Sequence, residues 1–569
     1  MLSLSSSGIQ GTQASANPSI SADGRFVAFL SNSPNLVAGP SNVYQQVYWR
    51  DRQTGDTLRI SQSTTGQPSN NHSSLAFVSG DGSRVMFWSY ASDLVPGDTN
   101  QNFDVFVRDL ARSVTVMVTR SYTGGPLFGT VSPGAISRDG RYVAFCTDAP
   151  NVVPGASVMM HVYVRDLEDH LSSLVDVSTA GAQANNSSVG GALSEDGRFV
   201  AFSSAATNLV NADNNGKSDI FVRDRQARTT ALASIATNGT EANDNSDDAR
   251  ISGDGRFVLF DTMATNLVTG DTNFRRDVFL HDMQTGSTIR ISTGPGGVQA
   301  SDNCFAESIS GDGRYSTFYS ASPGLVPGDS NQGYDVFVYD RITATLVRAD
   351  LTSAGGEVSQ GATESQVSAD GTCVVFTSNA PGLAPPDTNG TFDVFARDFA
   401  PEQFSSLCLP GQGAVQACPC QNPPHGSSSG CDNSASTGGA TLSAAGSAQL
   451  HEDTLRFTTQ GELPSALSVV VQGNVLVPGG ELVGQGVSCL GGWMPRMYVK
   501  SAINGAILAP DSATGDPSVS ARAASVGDVL HPGDVRYFTV WYRDPIVVGG
   551  CPAAALFNST QTGRIVWWW

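Results

Sequence analysis

Short apolar runs of four to six residues, rich in Val and Phe, recur along the first 400 residues and are separated by polar turns. The stretch from Ile251 to Thr293 carries the whole unit. Asp254-Gly255 opens RFVLF, a loop NLVTGDTN follows, DVFLHD comes next, and Thr285-Gly286 leads into TIRIS. The runs are nearly continuously apolar where a one-sided sheet would alternate, which predicts strands covered on both faces. No segment sustains a 3.6-residue pattern, so helical repeats are not expected.

The Asp-Gly pair falls at Asp23, Asp81, Asp139, Asp196, Asp254, Asp312 and Asp370, in steps of 58, 58, 57, 58, 58 and 58 residues. Between β-prone runs it signals a hairpin, because a tight primed turn needs the positive φ that Gly adopts at least cost. A repeat of about 40–50 residues with four strands is the signature of a propeller blade; the extra length here lies in the loop after the first apolar run. The spacing predicts an all-β, seven-bladed β-propeller over residues 1–400. Six copies carry a closing strand and the seventh does not, while Leu2–Ser6 stands where one belongs. This segment is expected to complete the last blade and remove two open sheet edges.

Residues 401–440 form a junction rich in Cys, Gly and Ser, and 441–569 return to alternating runs such as LSVVVQG and VRYFTVWYRDP. The second part is expected to be a β-sandwich-like module.

The phrases SADGRFVAF (21–29), LVPGDTN (94–100) and DVFVRD (104–109) resemble the TolB-type, PD40-like propeller repeats of bacterial envelope and secreted proteins. The resemblance covers about 400 residues and implies the fold; its relatives serve as protein-docking platforms or stand beside peptidase domains. The succession CPCQN, GCDNS, VVVQG and GVSCLGG is similar to a C-terminal module of large secreted bacterial proteins, to which no activity attaches.

A net charge of −20, with Lys only at Lys217 and Lys500, opposes nucleic-acid binding and suits cations or basic and neutral partners. No run of 18 apolar residues is present, so no membrane span is expected. The N-terminal residues lack a signal-peptide pattern. Six cysteines, Cys408, Cys418, Cys420, Cys431, Cys489 and Cys551, cluster after residue 400 and read as a disulfide framework, which favours a secreted or cell-envelope setting. Cys146, Cys304 and Cys373 read as small core residues, and a monomer is expected.

Five loops carry Asp-x-Asn followed four residues later by Asp: Asp98, Asn100, Asp104; Asp213, Asn215, Asp219; Asp271, Asn273, Asp277; Asp329, Asn331, Asp335; Asp387, Asn389, Asp393. Alternating oxygen donors suit Ca²⁺, and the same residues also make Asx turns. No EF-hand glycine or distal glutamate is present. A second polar set precedes the Asp-Gly turns: Asn243, Asp244, Asp247, Asp248, Asp302 and Glu364. If the strand leading into each turn is innermost, these residues gather at one channel mouth and form a binding surface. No H-E-x-x-H or G-x-S-x-G motif appears, so no catalytic residue is assigned. The expected function is a secreted, non-enzymatic binding or scaffold propeller for a protein or glycan, with calcium as its candidate cofactor. The alternatives are a polysaccharide hydrolase or lyase with carboxylates in the channel, and a propeller regulating a separate peptidase.

Overall fold

The computed structural model describes the chain except for residues 212, 353–354, 385–386, 400–404, 412–414, 425–428, 446–447, 449–452, 531–533, 547–555 and 568–569. It divides into two compact units, Met1–Phe399 and Ala400–Trp569.

Among the described residues seven larger antiparallel sheets follow one another through the first unit, six of four strands and the last of three, with a two-stranded ladder, Thr293–Gly294 with Val298–Gln299, between the fifth and sixth. In the fifth, Ser246–Ile251, Phe257–Thr262, Asp277–Asp282 and Ser287–Arg290 lie side by side in chain order. The first strand of each sheet neighbours the first strands of the sheets on either side, and Ser15–Ile20 of the first sheet neighbours Ala362–Val367 of the seventh. The sheets therefore close into a ring around their first strands, which makes this unit a β-propeller.

The second and third strands carry the apolar runs. Phe257–Thr262 is buried at every position, as a strand packed on both faces requires. Within it Phe260 stacks on Phe279 at 5.9 Å. The same stacked pair recurs as Phe29–Tyr48, Phe87–Phe106, Phe145–Tyr163, Phe202–Phe221, Phe318–Phe337 and Phe376–Phe395.

The Asp-Gly turns fasten the sheets together at one end of the ring. The Gly255 N–H donates to the Ser252 carbonyl at 2.9 Å, and Asp254 accepts from Ser252 Oγ and the Arg256 N–H. Only the glycine has positive φ (+75°), so this is a turn with glycine in a bulge position. The primed two-residue hairpin suggested by Asp-Gly is thereby corrected: the Ser two residues earlier supplies the extra hydroxyl that favours the unprimed form. Arg256 then meets Asp282 at 2.9 and 2.7 Å while lying 4.7 Å over the Phe257 ring. That guanidinium holds the Asp282 carboxyl far below the usual carboxylate range.

Gly255 also touches the preceding sheet: a Cβ there would fall 2.1 Å from the Phe199 ring. Gly270, at φ +79°, has nothing within 4 Å of the same position. Gly255→Ala should therefore cost about 1–3 kcal/mol more than Gly270→Ala, which bears only the backbone penalty. Urea unfolding of the two variants measures that difference.

Ring closure corrects one expectation. The Leu2 N–H donates to the Val394 carbonyl at 2.6 Å, as Ile60 does to Val47 and Ile291 to Val278. The Val394 N–H donates to Ser3 Oγ, as Val278 does to Ser292. Leu4 already bridges to Gln10 across the next turn, as Gln62 does to Pro68. Only Leu2 and Ser3 thus close the seventh sheet, not a full strand over Leu2–Ser6. The repeat aligns Leu2 with Ile60, which lies just past the closing strand Thr57–Arg59. Leu2, Val27 and Phe29 pack with Val375 and Val394 to seal the first and last sheets.

The second unit is an antiparallel β-structure with two main sheets. One runs Ser405–Cys408, Thr562–Val566, Val535–Arg543, Leu467–Gly473, Arg496–Ser501; the other pairs Thr441–Ala445, Arg456–Gln460 and Leu508–Ala509. Phe457 of one packs on Phe538 of the other at 4.5 Å, within a core that includes Leu442, Val470 and Trp567. A separate hairpin, Val475–Val483 with Gly486–Gly491, and a short helix, Val519–Ser525, complete it. Disulfides join Cys408 to Cys489 and Cys418 to Cys431. Cys420 is also disulfide-bonded, and Cys551 lies outside the described residues. Cys146, Cys304 and Cys373 are free and buried, as core residues should be. Among the described residues no helix is long and apolar enough to cross a membrane.

Candidate functional site

The innermost strands line a cavity of about 1000 Å³ along the ring axis. Each breaks its register midway. At the break Asn17, Leu75, Gly190, Asp248 and Glu364 adopt positive φ, and all five line the cavity. A bulge leaves one residue out of the ladder and re-aims it, here into the channel.

At the mouth opposite the Asp-Gly turns, three positions vary from sheet to sheet while the rest of the repeat stays nearly constant. They belong to the first strand, the end of the second, and the start of the third. In the second sheet they are Ser74, Trp88 and Phe103, with the two rings 4.2 Å apart. The fourth sheet has Val189, Ser203 and Ser218, with the hydroxyls 2.9 Å apart. The sixth has Phe305, Tyr319 and Tyr334, with the Tyr319 ring in contact with both of the others. The fifth alone is charged: Arg276 bonds Asp261 and, at 3.1 Å, Asp247.

Acids gather on that side of the channel. Asp261, fully buried, also accepts the Ala306 N–H from the sixth sheet at 3.0 Å. Burial and the nearby Asp248 push its carboxyl up to about 7 against the pull of Arg276. Glu364 accepts from the Asn17 N–H and from Thr377 Oγ1, each at 2.8 Å. The carboxyls of Asp248 and Glu307 line the cavity and accept no hydrogen bond among the described residues. Burial, outweighing Arg250, pushes Glu307 up to about 8, with Glu364, Asp248 and Asp261 adding to the rise. Two carboxyls without a hydrogen-bond donor among the described residues thus line the same cavity as Phe305, one of them pushed up to about 8.

The polar set read from the sequence divides. Asp247, Asp248 and Glu364 line the cavity. Asn243 clips its loop to Thr265 and Asn266, Asp244 pairs with Lys217 at 3.0 Å, and Asp302 caps the Asn303 N–H. Glu307, Asp261, Arg276 and Phe305 were not singled out in the sequence. The signal for Asp261 was present in the variable position after each first apolar run, which reads Leu30, Trp88, Cys146, Ser203, Asp261, Tyr319 and Thr377.

The Asp-x-Asn loops sit at the same end of the ring. Each Asn accepts an N–H two residues on through its Oδ1, at Asn100, Asn215, Asn273, Asn331 and Asn389. Its amide donates to a carbonyl further along the chain, as Asn215 does to Ala242 and Asn273 to Ala300. These are Asx turns that tie each loop to the segment leading into the next sheet. The spaces between the paired aspartates differ. Arg290 stands 3.0 Å from Asp271 and 3.2 Å from Asp277. Arg348 pairs with Asp329 and Asp335, while Gln10 donates to Asp387 and Asp393 at 2.9 and 2.8 Å. Among the described residues no group of three or more His, Cys, Asp or Glu stands gathered as a metal site.

No protein-family profile matches the sequence, and no curated protein matches it. Solved structures do. TolB from Acinetobacter baumannii is 14% identical over 68% of this chain and 80% of its own, with a TM-score of 0.32. The β-propeller domain of the Trilobed protease from Pyrococcus furiosus is 9% identical over 68% of this chain and 95% of its own, at 0.39. A prolyl endopeptidase is 11% identical over 79% of this chain and 54% of its own, at 0.41. Such distant likenesses carry no inference about activity; by the geometry of its own ring, this chain is a β-propeller protein joined to a disulfide-linked β-module.

Proposed function

We propose that the protein is an exported, non-enzymatic binding propeller whose channel mouth takes a basic group of a protein partner. One observation carries this reading: among the described residues Asp248 and Glu307 have no partner, in a cavity where the neighbouring acids are matched. The repeat is broken there by charge, which a purely structural channel would not require. An ammonium or guanidinium between the two carboxyls would restore balance, and Phe305 offers a flat face to its stem. The disulfides of the second unit support export.

The probe is a tri-arginine peptide, titrated calorimetrically into the full chain. Cation binding favours the Glu307 carboxylate, so at pH 7 binding releases a proton, and affinity rises with pH until about 8. Glu307→Gln should weaken binding roughly tenfold and flatten the pH dependence. Equal affinity and an unchanged pH profile in that variant would remove the channel from the account.

The same protonated Glu307 favours a second reading, because a general acid must hold its proton at working pH. In that case the protein would release reducing ends from an acidic or neutral polysaccharide, and Glu307→Gln would abolish the release.

A further inference from the structure

In the sixth sheet, Asp329, Asp335 and Glu357 surround one cation. Arg348 Nη1 lies 3.4 Å from Asp329 and 2.8 Å from Glu357, and its Nη2 bonds Asp335. In the fifth, Arg290 fills the same place between Asp271 and Asp277, with Gln299 in the position of the third acid. The 58-residue period maps these groups onto Asp213, Asp219 and Glu241 in the fourth sheet, and maps the arginine onto Leu232. The three acids are kept there and the cation is not.

Asp213 is 6% exposed, and its Oδ1 has no hydrogen-bond partner. That atom corresponds to the Asp271 and Asp329 oxygens that face Arg290 and Arg348. Asp219 accepts only neutral donors, Asn215 Nδ2 at 2.8 Å and Ser234 Oγ at 2.7 Å. Glu241 caps the Asn214 N–H at 3.1 and 3.2 Å.

We propose that the fourth-sheet loop binds one Ca²⁺ between Asp213, Asp219 and Glu241, in the place that an arginine guanidinium takes in the fifth and sixth sheets. The donors are all oxygen, and their number and flexibility suit Ca²⁺ over Mg²⁺, which demands a tighter octahedron. The three carboxyls do not stand gathered around one point in this structure; binding draws Glu241 off the Asn214 N–H and onto the ion. The other aspartate loops are satisfied differently. Arginines fill the fifth and sixth, and the Gln10 amide spans the seventh. The second has Pro126 at the position of the third acid. This assignment does not rest on the channel.

The test is equilibrium dialysis with Ca²⁺ and a thermal melt of the full chain in EDTA, Ca²⁺ or Mg²⁺. Wild type should bind about one Ca²⁺ per chain and melt about 3–5 °C higher with saturating Ca²⁺ than in EDTA. Leu232→Arg should raise the melting temperature in EDTA and lose both the bound ion and the Ca²⁺ response. Asp213→Asn, which adds no bulk, should lose the ion as well. A flat wild-type series to several millimolar overturns the proposal. So does a bound ion that survives in either variant, since it would lie elsewhere.

Discussion

Arg276→Ser should destabilise the propeller by about 3–5 kcal/mol, because it leaves Asp261 buried without its cation. Asp261 is wholly inaccessible and keeps only the Ala306 N–H once the guanidinium is gone. The repeat itself supplies the repair. Ser203 and Ser218 hold the same two positions in the fourth sheet and bond each other at 2.9 Å. Asp261→Ser combined with Arg276→Ser should therefore recover most of the loss, and a urea double-mutant cycle measures the coupling. The single variant also carries a pH signature. With Arg276 in place that carboxyl already stands at about 7, and losing the cation that pulls it down moves it higher still, so the variant's folded state keeps a proton that the intact protein releases above about pH 7. Its stability penalty must therefore shrink as pH falls from 8 to 5. A penalty independent of pH would mean that Asp261 finds another partner.

Phe260→Ala should cost a comparable amount, about 3–5 kcal/mol, for a different reason. The side chain is fully buried, stacked on Phe279, and packed against Ala201, Ile220 and Val222 of the preceding sheet. Removing it opens a cavity between two sheets, which two flat β-surfaces cannot collapse without shifting the ring. Phe260→Leu keeps much of the volume and should lose less than half as much. Chemical unfolding followed by tryptophan fluorescence separates the two variants, and Phe538→Ala serves as the matching change in the second unit.

The fold was legible because the repeat makes every residue speak seven times. Asp-Gly at a nearly constant period, two double-sided apolar runs and a polar loop describe the sheet that forms. The details that escaped depend on pairings between distant parts of the chain. Leu2 looks like the start of a strand, and only its bond to Val394 shows that it is the end of one. In the second unit, which has no period, nothing repeated marks the hairpin Val475–Val483 with Gly486–Gly491, and LVPGGELV contains the signals of a turn. The candidate site behaved the same way. Asp247, Asp248 and Glu364 announce themselves as polar residues ahead of a turn. Glu307 and Asp261 hide inside strands, and their chemistry arises from acids on the adjoining fifth, sixth and seventh sheets meeting across the channel. The Asp-x-Asn loops show the reverse: one sequence pattern covers at least three fillings, arginine, glutamine amide, or none, set by residues further along the chain in four of the loops and near the chain start in the fifth.

The most direct measurement is a crystal structure of the full chain with the tri-arginine peptide at neutral pH. The account predicts a guanidinium between the carboxyls of Asp248 and Glu307, its stem along Phe305, and no such density in Glu307→Gln. A peptide seated only on the outer rim of the ring, with the channel carboxyls unengaged, would contradict it.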